Sequence, residues 1–387
     1  MTDRNKSPLL RQITLGDSLV LRNRICMSAM TRNRCTDAKK PTYASVKHYA
    51  DRARDGTGLI ISEGVCIYLG GLDWPHIPVM YKTEHAEAWK HVTDAVHDKG
   101  GTMFMQVWHA GRAQNDGMPM LKDSGYPVLA PSNIPASGGK YRDLEGQPGH
   151  TTNLTPMTNE HIEEVLQQYI NSARLAKLAG FDGIEILAQG GYLLHNFLLT
   201  YISNPIQNDP LTSRSRSNQR TDMYGGSIPN RCRFVVSVVD AIMEIWGAAA
   251  VGIKICPTDN MNDTTSPYAE ISETYTYLIG ELVKKEIGYI NLSRRGYGEG
   301  AVRPAGTELP PGYEPLQEFG PMIKFDDSKT KLLVNEGYTV AEAERLMEDG
   351  KIDMICFGRL FIFNPVRSIY GLLMRANGLL RISSGAW

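Results

Sequence analysis

Gly183-Ile-Glu-Ile-Leu-Ala-Gln-Gly-Gly-Tyr-Leu-Leu-His-Asn-Phe-Leu198 is an apolar strand that stops on small residues and presents Tyr192 just past its end. In a parallel sheet, open or closed, ligands gather beyond the carboxyl ends of the strands. This turn is therefore the first place to look for chemistry. Working outward from it, the same unit recurs in both directions: a short apolar run, a polar loop, then apolar residues three and four apart as on one helix face.

Upstream the runs are 25–30, 59–62 and 103–108, with helical patterns at 43–54 and 84–99. The connection 109–157 is long and rich in Gly, Pro and Ser, which usually marks a functional loop. A helix then opens at Thr158 and carries its apolar face over 163–178. Downstream of Tyr192 lies a second long loop, 200–230, whose Ser213-Arg-Ser-Arg-Ser217 stretch reads as mobile rather than nucleic-acid-binding. The remaining strands are 251–255, 289–292, 331–334 and 354–357, with helices over 231–246 and 268–285. Strands alternating with helices indicate a parallel sheet covered on both faces. Eight such units predict an α/β fold of the closed (β/α)8 TIM-barrel type, with long loops after the third and fourth strands. Residues 13–25 read as a hairpin about Gly16-Asp17, a lid over one end.

Composition narrows the functions. The chain has 387 residues, 42% of them hydrophobic, enough for one large barrel, and 1–387 is read as a single domain. A formal net charge of -1 without long basic blocks disfavours nucleic acid and anionic membranes as partners, leaving a small molecule. The six cysteines are scattered without C-x-x-C or zinc-type spacing, as expected of buried reduced thiols. The first ten residues have no apolar leader and no run is long enough to span a bilayer, so the expectation is a cytoplasmic protein. No His, Asp and Glu cluster proposes a metal.

A dinucleotide fold is the rival. Its fingerprint would have to be Gly296, Gly298 and Gly300, but that cluster runs into Arg303-Pro304 rather than into a helix. The loops after the last two strands are more informative. Asn335-Glu-Gly-Tyr-Thr339 leads into a helix, and Gly358-Arg359 follows the eighth strand. Backbone N–H groups at a helix start, a glycine for close approach and an arginine together suit a phosphate monoester. Either segment alone would read as a cap glycine or a surface arginine.

Four separated motifs then carry a resemblance. Asn23-Arg-Ile-Cys-Met-Ser-Ala-Met-Thr-Arg-Asn-Arg34, Gln106-Val-Trp-His-Ala-Gly-Arg112, Arg220-Thr-Asp-Met-Tyr-Gly-Gly-Ser-Ile-Pro-Asn-Arg231 and Phe357-Gly-Arg-Leu-Phe-Ile-Phe-Asn-Pro365 resemble the old yellow enzyme family. The resemblance runs from about Leu9 to Pro365. It implies an FMN-binding barrel whose reduced flavin gives hydride to an activated C=C bond, with NADPH supplying the electrons. It also implies site residues: Ala29, Met30 and Thr31 along the isoalloxazine edge, Gly64 and Gln106 at its pyrimidine side, and Trp108 lining the substrate pocket. Lys254 falls where the family more often has arginine, keeping the charge but not the planar fork. Gly337, Gly358 and Arg359 would hold the phosphate. Glu336, in place of a usual glycine, would have to point away. Tyr192 would be the proton donor. His109, His195 and Asn196 read as residues that cap or pack.

The match fails at one point. The family motif before Gly-Tyr is His-x-x-Asn or His-x-x-His, whereas this chain has Leu187-Ala-Gln-Gly190. By resemblance, the missing pair binds the substrate carbonyl and the nicotinamide carboxamide, and losing one such donor costs roughly a hundred- to a thousand-fold in rate. Three readings follow. The first is a specialised ene-reductase whose substrate, bulky and apolar, is polarised otherwise, with Gln189 beside Leu187 and Gly190 the first candidate. The second is a redox-neutral isomerase or a dehydrogenase, and the third a flavin-binding protein without turnover. Leu187→His with Gly190→Asn would put the pair back and is expected to raise reduction of simple enones. The chain stops at Trp387 without the Gly-Tyr-x-Asp-Tyr-Pro tail of many members, which leaves the oligomeric state open.

Overall fold

The computed structural model describes residues 7–115, 117–136, 153–200, 217–295, 303 and 305–363. Its strands are β1 (Ile13–Leu15), β2 (Leu19–Leu21), β3 (Ile25–Met27), β4 (Leu59–Ile61), β5 (Val65–Cys66), β6 (Met103–Trp108), β7 (Val128–Ala130), β8 (Leu154–Pro156), β9 (Gly183–Ala188), β10 (Val251–Ile255), β11 (Tyr289–Ser293), β12 (Lys331–Asn335) and β13 (Met354–Phe357). The helices are α1 (Tyr43–Arg54), α2 (Thr83–His97), α3 (Pro119–Ser124), α4 (Asn159–Leu178), α5 (Leu193–Leu198), α6 (Ile228–Trp246), α7 (Tyr268–Lys284), α8 (Pro315–Ile323), α9 (Val340–Glu348) and α10 (Arg359–Phe363).

Among the described residues, eight parallel strands close on themselves in the order β3-β4-β6-β9-β10-β11-β12-β13 and back to β3. This is the expected (β/α)8 barrel. Some elements were not foreseen. β5 extends the sheet beside β6, β7 and β8 form a small parallel pair within the long connection after β6, and α3 and α8 are additional helices. Residues 213–216 of the serine-arginine stretch, and 296–302 of the glycine-rich loop, lie outside the described residues.

Every barrel strand is buried along almost its whole length, so burial does not distinguish its two faces. Polarity does. Side chains alternate across a strand, and the outward set, including Met103, Met105, Val107, Ile184, Ile186, Ile253 and Ile255, packs with the helices in one apolar cluster. α4 illustrates the covering layer. Thr158 accepts a hydrogen bond from His161 N at 3.3 Å, capping the helix start. Ile162, Val165, Tyr169, Ala173 and Ala176 then form its buried stripe.

The inward set splits by height. At the amino ends of the strands Cys26, Leu59, Phe104, Tyr289, Leu333 and Met354 form a second apolar cluster, closed off by Ile13, Leu15 and Leu21 of the β1–β2 hairpin. Phe104 and Tyr289 fit there because two neighbours lack side chains. A Cβ on Gly183 would lie 2.4 Å from Phe104 Cζ, and one on Gly252 2.3 Å from Tyr289 Cζ. Two residues further along the same strands the inward positions become Gln106, Glu185, Lys254 and Asn291. The hairpin therefore shuts one end of the barrel and the other end carries the site.

Candidate active site

A cavity of about 380 Å³ opens at the carboxyl ends of the strands, lined by Ala29, Met30, Thr31, Gly64, Gln106, Trp108, Leu187, Gln189, Gly190, Tyr192 and Lys254, with Trp74 and Met261. Seven separated stretches of sequence converge here. Trp74 and Met261 could not have been found from the sequence, because they arrive on loops after β5 and β10 rather than at strand ends.

The wall at Ala29–Thr31 is set by hydrogen bonds to the backbone around it. Ser28 N donates to Phe357 O at 2.9 Å, continuing the β13 pairing. Just beyond, the buried Glu63 carboxylate accepts from Arg32 N at 2.8 Å and Asn33 N at 3.3 Å. Burial pushes the Glu63 carboxyl up to about 7, against those two donors, which favour the charged form.

The floor is a polar network. Glu185, fully buried on β9, accepts from Gln106 Nε2 at 2.7 Å, Asn291 Nδ2 at 2.9 Å and the Tyr289 hydroxyl at 3.1 Å. With its Nε2 committed to Glu185, Gln106 leaves Oε1 as an acceptor toward Gly64, 3.4 Å from a Cβ built there. The same hypothetical Cβ would lie 2.8 Å from Trp108 Nε1, so only glycine fits at 64. The buried Lys254 ammonium completes this side of the wall, placed between Leu187 and Asn291 by the β10 register.

Tyr192 stands at the start of α5, its ring edge-on to Trp108 with centroids 4.6 Å apart. The turn that carries it needs two glycines in the left-handed region, Gly190 at φ 77° and Gly191 at φ 72°. Side chains hold that turn at each peptide. Gly190 N donates to Asp259 Oδ2 at 2.5 Å, Asn262 Nδ2 donates to Gly190 O at 2.6 Å, and Asn196 Nδ2 to Gly191 O at 2.9 Å. Gly191 N donates to His195 Nδ1 at 3.1 Å. With Nδ1 accepting, neutral His195 carries its proton on Nε2, which meets the Tyr275 hydroxyl at 3.2 Å. Burial pushes His195 down to about 4, consistent with the neutral ring. His195 and Asn196 are thus packing residues behind the turn, as the sequence suggests, and neither lines the cavity. Arg112, also fully buried, braces the loop that brings Met261 over the cavity, donating to Asn262 O at 2.9 Å and Ile134 O at 3.1 Å.

This geometry bears on one expectation. A Cβ on Gly190 would lie 2.9 Å from Tyr192 Cε2, in a backbone region L-residues rarely adopt. Asparagine at 190 would have to displace the Tyr192 ring, so putting the polar pair back disturbs the group it is meant to serve.

Gly337, Gly358 and Arg359 do not line the cavity. Gly358 adjoins it, since a Cβ there would touch Met30 Sδ at 3.4 Å, an ordinary contact. Arg359 is exposed, at the start of α10. At Gly337 (φ 77°) a Cβ would meet Arg295 Nη2 at 2.2 Å, so a second guanidinium, missed in the sequence, lies on this loop. Its signal was the Arg294-Arg295 pair directly after β11. Arg294 itself is committed elsewhere, paired with Glu314 at 2.9 Å and stacked 3.8 Å over the Tyr338 ring. Glu336 takes a positive φ of 67°, the strained conformation a glycine would adopt freely. Thr339 caps α9, accepting from Glu342 N at 3.1 Å. Among the described residues, no group of three or more His, Cys, Asp or Glu side chains could hold a metal ion, and no helix is long and apolar enough to cross a membrane. All six cysteines are buried and unpaired.

Comparison with known proteins identifies the family. Residues 8–368 match the family described as NADH:flavin oxidoreductase / NADH oxidase. A probable flavin mononucleotide-dependent alkene reductase of Leishmania infantum is 34% identical over 350 residues, spanning 89% of this chain and 84% of the relative. The old yellow enzyme homologue of Zymomonas mobilis superposes with a TM-score of 0.76 at 30% identity, over 92% of this chain and 90% of that one. Morphinone reductase in complex with tetrahydroNAD does so with a TM-score of 0.77 at 30% identity, over 97% and 92%. The chain belongs to the NADH:flavin oxidoreductase / NADH oxidase family, the old yellow enzymes, and is an FMN-dependent oxidoreductase of the ene-reductase type.

Proposed function

We propose that the protein reduces a carbonyl-conjugated C=C bond of a bulky, largely apolar small molecule, with NADPH as the electron source and Tyr192 as the proton donor. The observation that carries this reading is the convergence of Gln106 Oε1, Lys254, Thr31 and Tyr192 on one cavity. The donor set fits the cofactor. An acceptor oxygen, a fixed cation and a hydroxyl along one wall suit the N–H and carbonyl edge of the flavin pyrimidine ring, and Lys254 would stabilise negative charge there. Gly358 and Arg359, with Gly337 and Arg295, would hold the phosphate.

FMN, when bound and reduced, would supply the hydride for the β-carbon of the alkene, with NADPH as the source of its electrons. Tyr192 donates a proton to the α-carbon, so that C=C becomes CH–CH. Trp108, Trp74, Met261 and Leu187 surround the substrate with apolar surface and exclude water, which a phenol needs if it is to act as an acid. Morphinone reductase, crystallised with tetrahydroNAD, supports a nicotinamide entering a cavity of this kind. The cavity also suits an apolar guest, with two tryptophans and two methionines on its wall.

The test is anaerobic. The purified holoenzyme is expected to be yellow, to bleach on addition of NADPH and to regain colour when an enone is added, with one equivalent of saturated ketone formed. Heat-released cofactor should have the mass of FMN. Recovery of FAD, or colour that NADPH bleaches but no enone or enal restores, would overturn the reading.

A further inference from the structure

Between the two positions where the polar pair is missing stands another side chain with donors. Gln189 is almost fully buried yet lies on the cavity wall between Leu187 and Gly190. Its Oε1 accepts from Ser293 Oγ at 2.7 Å. Ser293 ends β11 at an inward position, in register with Asn335 of β12, and is itself fully buried. A primary amide has two donors and one acceptor group. With the acceptor taken by Ser293, the Nε2 hydrogens carry no partner among the described residues.

We propose that Ser293 is a positioning residue that fixes the Gln189 amide with its N–H donors toward the substrate, so that Gln189 binds the carbonyl oxygen of the alkene substrate in place of the absent pair. The inference rests on the ene-reductase reading and deepens it by naming what the site recognises: an alkene conjugated to a single acceptor oxygen. An unheld amide could turn its oxygen toward the substrate and repel the carbonyl. The Ser293 hydroxyl opposes that alternative, because turning the amide would break its 2.7 Å bond to Gln189 Oε1. Leu187 beside it contributes apolar contact only, which desolvates the amide and strengthens its bond to a carbonyl.

Two readouts test this in the holoenzyme. One is the dissociation constant of a saturated cyclic ketone, which cannot be reduced, followed by perturbation of the flavin absorption. The other is kcat and KM for the corresponding enone. Gln189→Glu at pH 8 keeps the shape and the Ser293 bond but loses the donors. It is expected to weaken ketone binding at least tenfold and lower kcat/KM by roughly a hundred-fold, the scale of one lost oxyanion donor. Ser293→Ala should produce a smaller loss, about tenfold, in both readouts, and Ser293→Thr, which retains the hydroxyl, should recover most of it. Thermal denaturation of each variant establishes that it is folded. Folded Gln189→Glu and Ser293→Ala variants that bind ketone and turn over enone like the wild type would overturn the assignment while leaving the ene-reductase reading intact. Ketone binding that depends on Gln189 and Ser293 in a wild-type enzyme that reduces no enone or enal would sustain this assignment and overturn the reading beneath it.

Discussion

The two ends of the barrel interior are built from the same strands two residues apart, yet they do opposite things. At the amino end Phe104, Tyr289, Leu333 and Met354 fill the space with apolar volume under a hairpin plug. At the carboxyl end Gln106 and Asn291 donate to Glu185 and Ser293 to Gln189, beside a cavity of about 380 Å³ that has Lys254 on its wall. The switch happens along single strands: Phe104 to Gln106, Gly183 to Glu185, Gly252 to Lys254, Tyr289 to Asn291. Tyr289 joins the levels, its ring packed among the apolar set and its hydroxyl donating to Glu185. Stability and chemistry are thus separated by about two residues of strand rise, roughly 7 Å.

If that separation is real, the largest loss of stability should come from filling the closed end. Gly252→Val places a Cβ 2.3 Å from Tyr289 Cζ and 2.5 Å from two more atoms of that ring, which is fully buried and held by its hydroxyl bond to Glu185. Overpacking there should cost roughly 3 kcal/mol or more and yield little folded protein. Chemical denaturation of whatever is recovered checks it. A variant as stable as the wild type would mean that this end is loosely packed and the contrast is wrong.

At the open end, a change should do the reverse. Tyr192→Phe removes one hydroxyl from a half-buried ring whose place is set by the Gly190–Gly191 turn and by Trp108. Bleaching of the holoenzyme by NADPH should be nearly unchanged, and so should the melting temperature. Reoxidation by enone in rapid mixing should slow by roughly a hundred-fold, the usual contribution of a positioned acid. Turnover at the wild-type rate would reduce Tyr192 to a packing residue and move the proton donor elsewhere, though not to His195, which is buried behind the turn as a neutral ring.

The contrast also explains what could be read in the sequence. Repeated apolar runs announced the strands, and the helix start at Thr158 was visible because its cap and its apolar stripe are local features. Residues at strand ends, such as Gln106, Lys254 and Tyr192, were legible because a parallel barrel brings those ends together. Glu63, Asp259, Ser293 and Arg295 were not, since each matters through a partner more than 25 residues away that only barrel closure supplies. The isolated polar residues Gln106, Glu185, Lys254 and Asn291 of β6, β9, β10 and β11 were present in the sequence, but their shared inward face was hidden in strands buried on both faces. The consequence of Gly190 also escaped. Its left-handed angle is suggested by the Gly-Gly pair, but the proximity of its missing side chain to Tyr192 is a fact of the turn alone.

The smallest expected effect lies on the rim of the open end, where one residue serves both purposes. Glu63 is buried beneath the Thr31–Asn33 loop, accepts two backbone N–H groups from it, and is pushed up to about 7 from an ordinary value of 4.5. Because the folded state holds this proton more tightly than the unfolded chain, the stability it contributes is complete below about pH 4.5 and is lost as pH rises through about 7. The buried histidines act in the opposite sense. Burial pushes His48 down to about 3 and His109 and His195 to about 4, so their contribution is present above about 6.5 and is lost as pH falls. The wild-type profile combines the two, and between about pH 4.5 and 6.5 three histidines outweigh one carboxyl, so their sum rises with pH. Glu63→Gln separates them, since it keeps an acceptor oxygen for Arg32 and Asn33 and removes only the titration. Between pH 4.5 and 7.5 the wild type should lose on the order of 2 kcal/mol relative to this variant, with the histidine contribution common to both and cancelling. Urea denaturation at four or five pH values measures the difference. A pH-independent difference would show that the carboxyl stays ionised throughout, held by the two N–H donors. The rim would then share the electrostatics of the polar network below it rather than the apolar burial of the closed end.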